Sequence, residues 1–114
     1  MAFFALAKTN ELADGFMRSV KTPTGTVLLI VHQDVVHIVE DRCPHMDIPL
    51  ATGSLEENDA AGLIRCRAHG IAFYLESGEA EGHWQGILPC LKRFEPVYRD
   101  YSIGLELPDS DADD

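Results

Sequence analysis

The chain has 114 residues, of which 46% are hydrophobic and 25% charged, a composition typical of a globular protein with one modest core. Nineteen acidic and nine basic residues give a formal net charge of −10, which argues against binding to nucleic acid or to anionic membranes. The longest apolar run, residues 27–31, is too short to span a membrane, and the apolar residues at the start lack the basic segment of a secretory signal. We therefore expect a single domain, residues 1–114, located in the cytoplasm.

Short apolar segments separated by turn residues run through the sequence. In chain order, the predicted strands cover residues 3–7, 16–21, 26–32, 35–39, 63–65, 71–75, 92–98 and 102–107, with one helical turn over residues 10–13. Gln33 and Asp34 are expected at a hairpin tip, and the β-branched residues on both sides of them favour strand over helix. Many short strands joined by turns predict an all-β fold, an antiparallel barrel or sandwich.

Residues 41–70 contain two matched pairs of candidate metal ligands. Cys43 and His45 form the first pair, and Cys66 and His69 form the second. A thiol and an imidazole are donors for a transition metal rather than for calcium or magnesium. Two such loops can readily span two metals, whereas one tetrahedral ion would require both loops to fold tightly around it. Structural zinc sites have other spacings, typically C-x2-4-C with H-x3-5-H, so a zinc-stabilised binding module is the distant alternative.

The pattern C-x-H … C-x-x-H formed by these four residues resembles the signature of the soluble Rieske-type 2Fe–2S ferredoxins of bacterial oxygenase systems. The resemblance implies a Rieske-type 2Fe–2S cluster in which Cys43 and Cys66 hold one iron, and His45 and His69 hold the other. It also implies an antiparallel Rieske-like β-sandwich or barrel with a small inserted cluster-binding lobe, about residues 41–85. Further positions at which the chain is similar to the family are Pro44, Gly53, Gly70, Phe73, residues 76–78 and Pro89.

The spacing between the two ligand pairs departs from the family pattern. Between His45 and Cys66 lie 20 residues, a few more than the family usually has. The surplus falls in residues 56–62, a polar run that contains Gly62 and is predicted to form a longer hairpin tip. A longer tip would leave the ligand loops unaltered.

The resemblance implies a one-electron carrier rather than an enzyme, and the sequence contains no facial triad that would indicate a mononuclear iron site. Such a carrier takes electrons from a flavin-dependent ferredoxin reductase and passes them to a terminal, ring-hydroxylating oxygenase, and we expect it to be a monomer. The alternatives are the Rieske-like small subunit of a nitrite reductase and the ferredoxin component of a di-iron hydroxylase. A permanent subunit should expose a large apolar patch, whereas a shuttle should have an acidic rim around a small apolar centre.

The resemblance also indicates where the reduction potential lies. Rieske clusters span about −150 to +300 mV, against about −400 mV for plant-type ferredoxins. High-potential members carry a Ser and a Tyr shortly after the second ligand His, and a disulfide that joins the two loops. This chain has Ile71 and Phe73 in place of the hydroxyl donors, and Ile48 and Ala68 in place of the disulfide cysteines. We therefore expect a potential at the low end of the range.

The remaining Cys and His residues are assigned structural roles. Cys90 stands among apolar neighbours and is predicted to be buried, while His32 and His37 are predicted to be edge or packing residues of strands. For His83, a role in partner docking or in tuning of the cluster is the minor alternative to a solvated loop residue. The acidic tail, residues 108–114, is expected to aid solubility. The candidate docking residues near the motifs are acidic: Asp41, Asp47, Glu76, Glu79 and Glu81.

Overall fold

The computed structural model of the protein describes residues 2–43, 48–58, 61–67 and 70–107. In this part of the chain, ten strands are present: β1 Ala2–Lys8, β2 Met17–Thr22, β3 Gly25–His32, β4 Val35–Glu40, β5 Ser54–Asn58, β6 Ala61–Arg65, β7 Ala72–Tyr74, β8 Arg93–Phe94, β9 Val97–Arg99 and β10 Ser102–Leu107. The same described ranges contain three short 3-10 helices, Thr9–Glu11, Leu50–Thr52 and Gly82–Trp84. None of the helices in the described ranges is long enough to cross a membrane.

The strands form three antiparallel sheets, with the orders β1-β10-β9, β2-β3-β4-β8 and β5-β6-β7. The β3–β4 hairpin turns at Gln33 and Asp34, which both have positive φ (51° and 64°), so the predicted hairpin tip is confirmed. The helical turn predicted over residues 10–13 is present one residue earlier and is shorter, as the 3-10 helix Thr9–Glu11. The prediction of an all-β antiparallel fold is therefore confirmed.

Strand β3 separates two hydrophobic cores, because its successive side chains point to opposite faces. One core, here called the cysteine core, consists of Leu28, Ile30, Val39, Cys43, Leu50, Ile64, Cys66, Ile71, Phe73, Leu75, Ala80 and Leu91. The other, here called the barrel core, consists of Leu6, Ala7, Val27, Leu29, Ile38, Ile103, Leu105 and Leu107. The β1-β10-β9 sheet covers the barrel core, and the β5-β6-β7 sheet contributes to the cysteine core.

Two predicted segments differ from the observed structure. Residues 56–62 are not an extended hairpin tip, because β5 and β6 remain paired as far as Asn58 and Ala61. The surplus residues thus lengthen the strands of a hairpin. The single strand predicted over residues 92–98 is split into β8 and β9, which belong to different sheets. Pro96 lies at the break, where the lack of a backbone N–H is compatible with the end of strand pairing.

Candidate metal centre

Both predicted ligand loops are closed by the same backbone hydrogen bond. The Cys43 N–H donates to the Ile48 carbonyl at 2.9 Å, and the Cys66 N–H donates to the Ile71 carbonyl at 2.8 Å. In each case the cysteine bonds to the residue five positions later, so the two loops have the same length between their closing groups. The second loop has an additional internal bond, from the Gly70 N–H to the Cys66 carbonyl at 3.0 Å. The two cysteines therefore occupy equivalent positions.

The two cysteine side chains lie in the same core. Cys43 is 2% exposed and Cys66 is 1% exposed, and both belong to the cysteine core together with Ile71 and Phe73. All three cysteines lie in the described part of the chain, and no disulfide joins any of them. Two buried thiols at matched loop positions are suitable ligands for a metal that is shielded from water on its sulfur side.

The predicted imidazole ligands His45 and His69 lie outside the described residues, as do Asp47 and the acidic tail. The side chain of His83 is not described either. Within the described ranges, no three His, Cys, Asp or Glu side chains are grouped closely enough to hold a metal ion. The structure thus places the two cysteines together, and the two histidines stay a prediction.

Asp41 anchors the first ligand loop from the inside. The residue is 8% exposed, and its carboxylate accepts hydrogen bonds from the Ser19 hydroxyl at 2.6 Å and from the Ala51 N–H at 2.8 Å. The Asp41 N–H donates to the Thr26 carbonyl at 3.0 Å. The prediction of a docking role for Asp41 is therefore wrong: the residue is buried, its carboxylate joins β2 to the helix Leu50–Thr52, and its backbone N–H bonds to β3.

Arg65 anchors the second ligand loop from the outside. Its Nε donates to Glu56 Oε2 at 2.9 Å, its Nη1 donates to the Gly70 carbonyl, and its Nη2 lies 3.6 Å from Glu81 Oε1. The hydrogen bond from Arg65 holds the pKa of the Glu56 carboxyl below its usual value. Sequence reasoning missed Arg65, although its position directly before Cys66 was a signal that could have drawn attention to it.

Gly53 permits the start of β5 to approach β6, the strand that ends at Arg65, directly before Cys66. A Cβ on Gly53 would collide with the Arg65 carbonyl oxygen and would lie 3.2 Å from the Leu50 carbonyl oxygen. Only a residue without a side chain fits between these two backbone groups. The family-like glycine predicted here is therefore explained by a close approach of two backbone segments.

The segment that follows β7 covers the cysteine core. Trp84 and Leu88 pack against that core, and the Leu91 N–H donates to the Gly78 carbonyl at 2.7 Å. Cys90 is exposed, so the prediction that it is buried is wrong. Its apolar neighbour Leu91 is 2% exposed and occupies the inward position, which leaves Cys90 facing solvent.

His32 and His37 lie on β3 and β4, away from the ligand loops in sequence, and have the packing roles that were predicted. A Cβ on Gly62 would lie 2.8 Å from His32 Nδ1, so the imidazole packs directly on the β6 backbone. His32 Nε2 also lies 3.6 Å from Glu57 Oε2, which connects the tips of two hairpins. His37 is half-buried, and burial, followed by the charges of Arg93 and His32, lowers its pKa.

The model of the Rieske [2Fe-2S] domain matches residues 2–94 of this chain. The chain belongs to the Rieske [2Fe-2S] domain family. The cofactor is accordingly a Rieske-type 2Fe–2S cluster, which needs two Cys and two His ligands. The described residues fit this group, since Cys43 and Cys66 offer two buried thiols on equivalent loops, the number and kind of sulfur donors that one iron requires.

Two curated relatives are similar in sequence to part of this chain. Apoptosis-inducing factor 3 of Homo sapiens is 34% identical over 77 residues, which are 68% of this chain and 12% of that protein. The ferredoxin component of an alkene monooxygenase system of Xanthobacter autotrophicus is 34% identical over 88 residues, which are 75% of this chain and 65% of that protein. The chain thus spans less than two thirds of the length of these curated relatives.

A solved complex of reduced oxygenase and oxidised ferredoxin in carbazole 1,9a-dioxygenase contains a chain with the same fold as this protein. The TM-score is 0.76 at 20% sequence identity, over 90% of this chain and 91% of that chain. The likeness confirms the predicted Rieske-like β fold.

Proposed function

We propose that this protein is a one-electron carrier that takes electrons from a flavin-dependent ferredoxin reductase and passes them to a terminal oxygenase. In this proposal Cys43 and Cys66 hold one iron of the cluster, and His45 and His69 hold the other. The observation that carries it is the pair of buried cysteines on two loops closed by the same hydrogen bond, in a chain of the Rieske family. When bound, a 2Fe–2S cluster supplies reversible one-electron transfer.

The residues around the two cysteines favour a low potential. Ile71 is 4% exposed and Phe73 is fully buried, and both pack in the cysteine core. Hydrogen bonds to the sulfur atoms of an iron–sulfur cluster stabilise its reduced form and raise the potential. Neither side chain has a hydroxyl group to donate such a bond. We therefore propose a potential at the low end of the Rieske range, within reach of a reduced flavin.

The exposed surface supports a transient carrier rather than a permanently bound subunit. Among the described residues, the large apolar side chains that are exposed lie in three separate segments: Val35, Ile87, and the pair Tyr98 and Tyr101. A permanent interface would need a large and continuous apolar patch. The carbazole dioxygenase structure contains ferredoxin and oxygenase together, and a complex of that kind is part of this proposal.

The proposed docking surface surrounds Ile87. This residue is 68% exposed and belongs to the segment whose Trp84 and Leu88 cover the cysteine core. Its N–H donates to the Trp84 carbonyl at 3.0 Å, which holds it beside that cover. The carboxylate of Glu79, which accepts a hydrogen bond from Gln85 at 3.1 Å, contributes an acidic rim. A small apolar centre with an acidic rim fits a redox partner with a basic docking face.

The proposal also covers the state of the protein in the cell. We take it to be one Rieske ferredoxin domain that acts as a monomer in the cytoplasm and is not itself an enzyme. The exposed and unbridged thiol of Cys90 supports a reducing compartment. The alkene monooxygenase relative, a ferredoxin component, supports a role inside a larger system.

An anaerobic redox titration followed by visible absorption and low-temperature EPR tests the proposal. We expect two irons per chain, uptake of one electron and a negative midpoint potential. His45→Gln and His69→Gln should abolish the cluster spectrum, whereas the matched variant His37→Gln should retain it. A positive midpoint would overturn the low-potential carrier, and a colourless zinc protein would overturn the whole assignment.

A further inference from the structure

The guanidinium group of Arg65 lies at the junction of three segments near the second ligand loop. It contacts Glu56 on β5, Glu81 after β7, and the carbonyl of Gly70 within the loop. We infer that Arg65 is a positioning residue that holds the loop of residues 66–70 in the shape that binds the cluster. This inference rests on the proposed function, because it takes Cys66 and His69 as ligands.

The loop needs such a support because of its own composition. Gly70 has φ +69°, a left-handed conformation that glycine adopts readily but that leaves the backbone with many alternatives. Among the described residues of the loop, two backbone bonds use the N–H groups of Cys66 and Gly70 and the carbonyls of Cys66 and Ile71. The Gly70 carbonyl is bound by Arg65 instead. A charged donor makes a stronger hydrogen bond to a carbonyl than a neutral donor does.

The two carboxylates give the guanidinium a defined orientation. Glu56 Oε2 lies 2.9 Å from Arg65 Nε and also accepts a hydrogen bond from the Ser54 hydroxyl at 3.0 Å. Glu81 Oε1 lies 3.6 Å from Nη2 on the other side. The planar fork of an Arg can meet three partners at fixed angles, which the single ammonium group of a Lys cannot. Through Arg65, the position of the ligand loop thus depends on the positions of β5 and of the segment after β7.

The role of Arg65 is geometric rather than a matter of general stability. Its side chain is 34% exposed and that of Glu56 is 38% exposed, and ion pairs at such exposure contribute little to the free energy of unfolding. The effect of removing Arg65 should therefore be concentrated in the loop that it contacts. This expectation separates a positioning residue from an ordinary surface ion pair.

The chain offers a matched control. Arg99 on β9 also pairs with a carboxylate, Glu106, at 3.3 Å, and its guanidinium stacks 4.9 Å from the ring centroid of Phe3. Arg99 and these two partners, Glu106 and Phe3, all belong to the β1-β10-β9 sheet. Arg65→Met and Arg99→Met remove the same charge from the protein. Only Arg65→Met should disturb the ligand loop.

The test makes two measurements on each variant. The first is the hydrogen-exchange rate of peptides covering residues 66–71. The second is the rate at which the dithionite-reduced protein releases iron to a ferrous chelator, bathophenanthroline disulfonate. In Arg65→Met we expect both rates to rise about tenfold, the effect of losing one charge-assisted hydrogen bond. Arg65→Lys, which keeps the charge, should recover only part of the effect. Arg99→Met should match the wild type in both measurements.

Equal hydrogen-exchange rates of residues 66–71 in Arg65→Met and in Arg99→Met would overturn the inference. Should Arg65→Met fail to fold, Glu56→Gln tests the same arrangement, since it keeps Arg65 but weakens its orientation, and a smaller acceleration is expected. Hydrogen exchange reports on the loop whether or not iron is present. A wild-type protein without iron would therefore count against the proposed function while the positioning role is still decided by exchange.

Discussion

Replacement of Gly53 by alanine should disturb the fold and the cluster together. The backbone of Gly53, with φ −88° and ψ −156°, is open to any residue, so the effect depends on the added methyl group alone. That Cβ would collide with the carbonyl oxygen of Arg65 and would lie only 3.0 Å from its carbonyl carbon. Both are backbone atoms, so no change of rotamer can relieve the contact. The start of β5 would have to move away from β6 by roughly 1 Å, in a close-packed region that resists such shifts.

The collision determines how much the Gly53→Ala change lowers the free energy of unfolding. Overpacking of a well-packed site costs about 1–3 kcal/mol, and a collision between backbone segments belongs at the upper end. For a chain of 114 residues, the entropy of unfolding near the midpoint is about 0.24 kcal/mol/K. A loss of about 3 kcal/mol therefore lowers the melting temperature by about 12 °C. Because the displaced carbonyl belongs to the residue before Cys66, the visible circular dichroism of the cluster should change as well.

Gly104→Ala is the matched control for this experiment. A Cβ on Gly104 would collide with the Phe4 carbonyl oxygen in the β1-β10-β9 sheet, which is a clash of the same kind at the barrel core. Thermal melts of the holoprotein should show similar losses for both variants, whereas the cluster spectrum should change only in Gly53→Ala. A Gly53→Ala protein that melts within about 2 °C of the wild type would refute the reasoning. An equal change of the cluster spectrum in Gly104→Ala would refute the local character of the effect.

Four further changes test other parts of the structure. Phe73→Tyr adds a hydroxyl group to the cysteine core and should raise the midpoint potential in a redox titration; an unchanged or lower potential would contradict the role assigned to this position. Cys90 should react with a thiol reagent at about one equivalent per holoprotein with the cluster spectrum intact, because the other two thiols are buried, and labelling that bleaches the cluster would be inconsistent with this view. Ser19→Ala leaves the buried Asp41 carboxylate with one donor fewer and should cost about 1–3 kcal/mol in thermal melts, whereas Ser19→Thr should retain most of it. Burial lowers the pKa of His37 below its ordinary value of 6.5, so the unfolded chain binds more protons and stability falls as the pH drops below that value. The melting temperature of the wild type should therefore fall relative to that of His37→Gln from pH 8 to pH 5. A difference between the two proteins that does not change with pH would contradict the assignment.

The sequence predicted those features that depend on local pattern. The strands β3 and β4 were recognisable because β-branched residues surround the Gln33–Asp34 tip. The spacing of the two Cys/His pairs indicated the family, whereas the role of these four residues as ligands stays a prediction. The tertiary position of single residues was not predictable in the same way. Cys90 follows an apolar run, and whether it or Leu91 turns inward depends on a bond between distant residues, from the Leu91 N–H to the Gly78 carbonyl.

The residues that anchor the two loops were not predictable from the sequence for the same reason. Asp41 is a carboxylate in an acidic chain, and an exposed position was the natural expectation for it. Its burial depends on donors from β2 and from the helix Leu50–Thr52, which come together only in the folded protein. Arg65 likewise obtains its role from Glu56 and Glu81, on two elements that sequence spacing does not bring together.

The two ligand loops therefore share their backbone closure but differ in how they are attached. The first is held by a buried carboxylate, and a buried charge that loses a hydrogen-bond partner is destabilised strongly. The second is held by a partly exposed guanidinium, whose ion pairs are screened by water. Damage to the Asp41 anchor should thus appear as lost stability of the whole fold, and damage to the Arg65 anchor as a loosened loop in a protein that is still folded. If Cys43 and Cys66 are ligands as proposed, we predict that the loop of Cys66 is the more adjustable half of the centre, in which substitutions alter cluster binding without unfolding the chain.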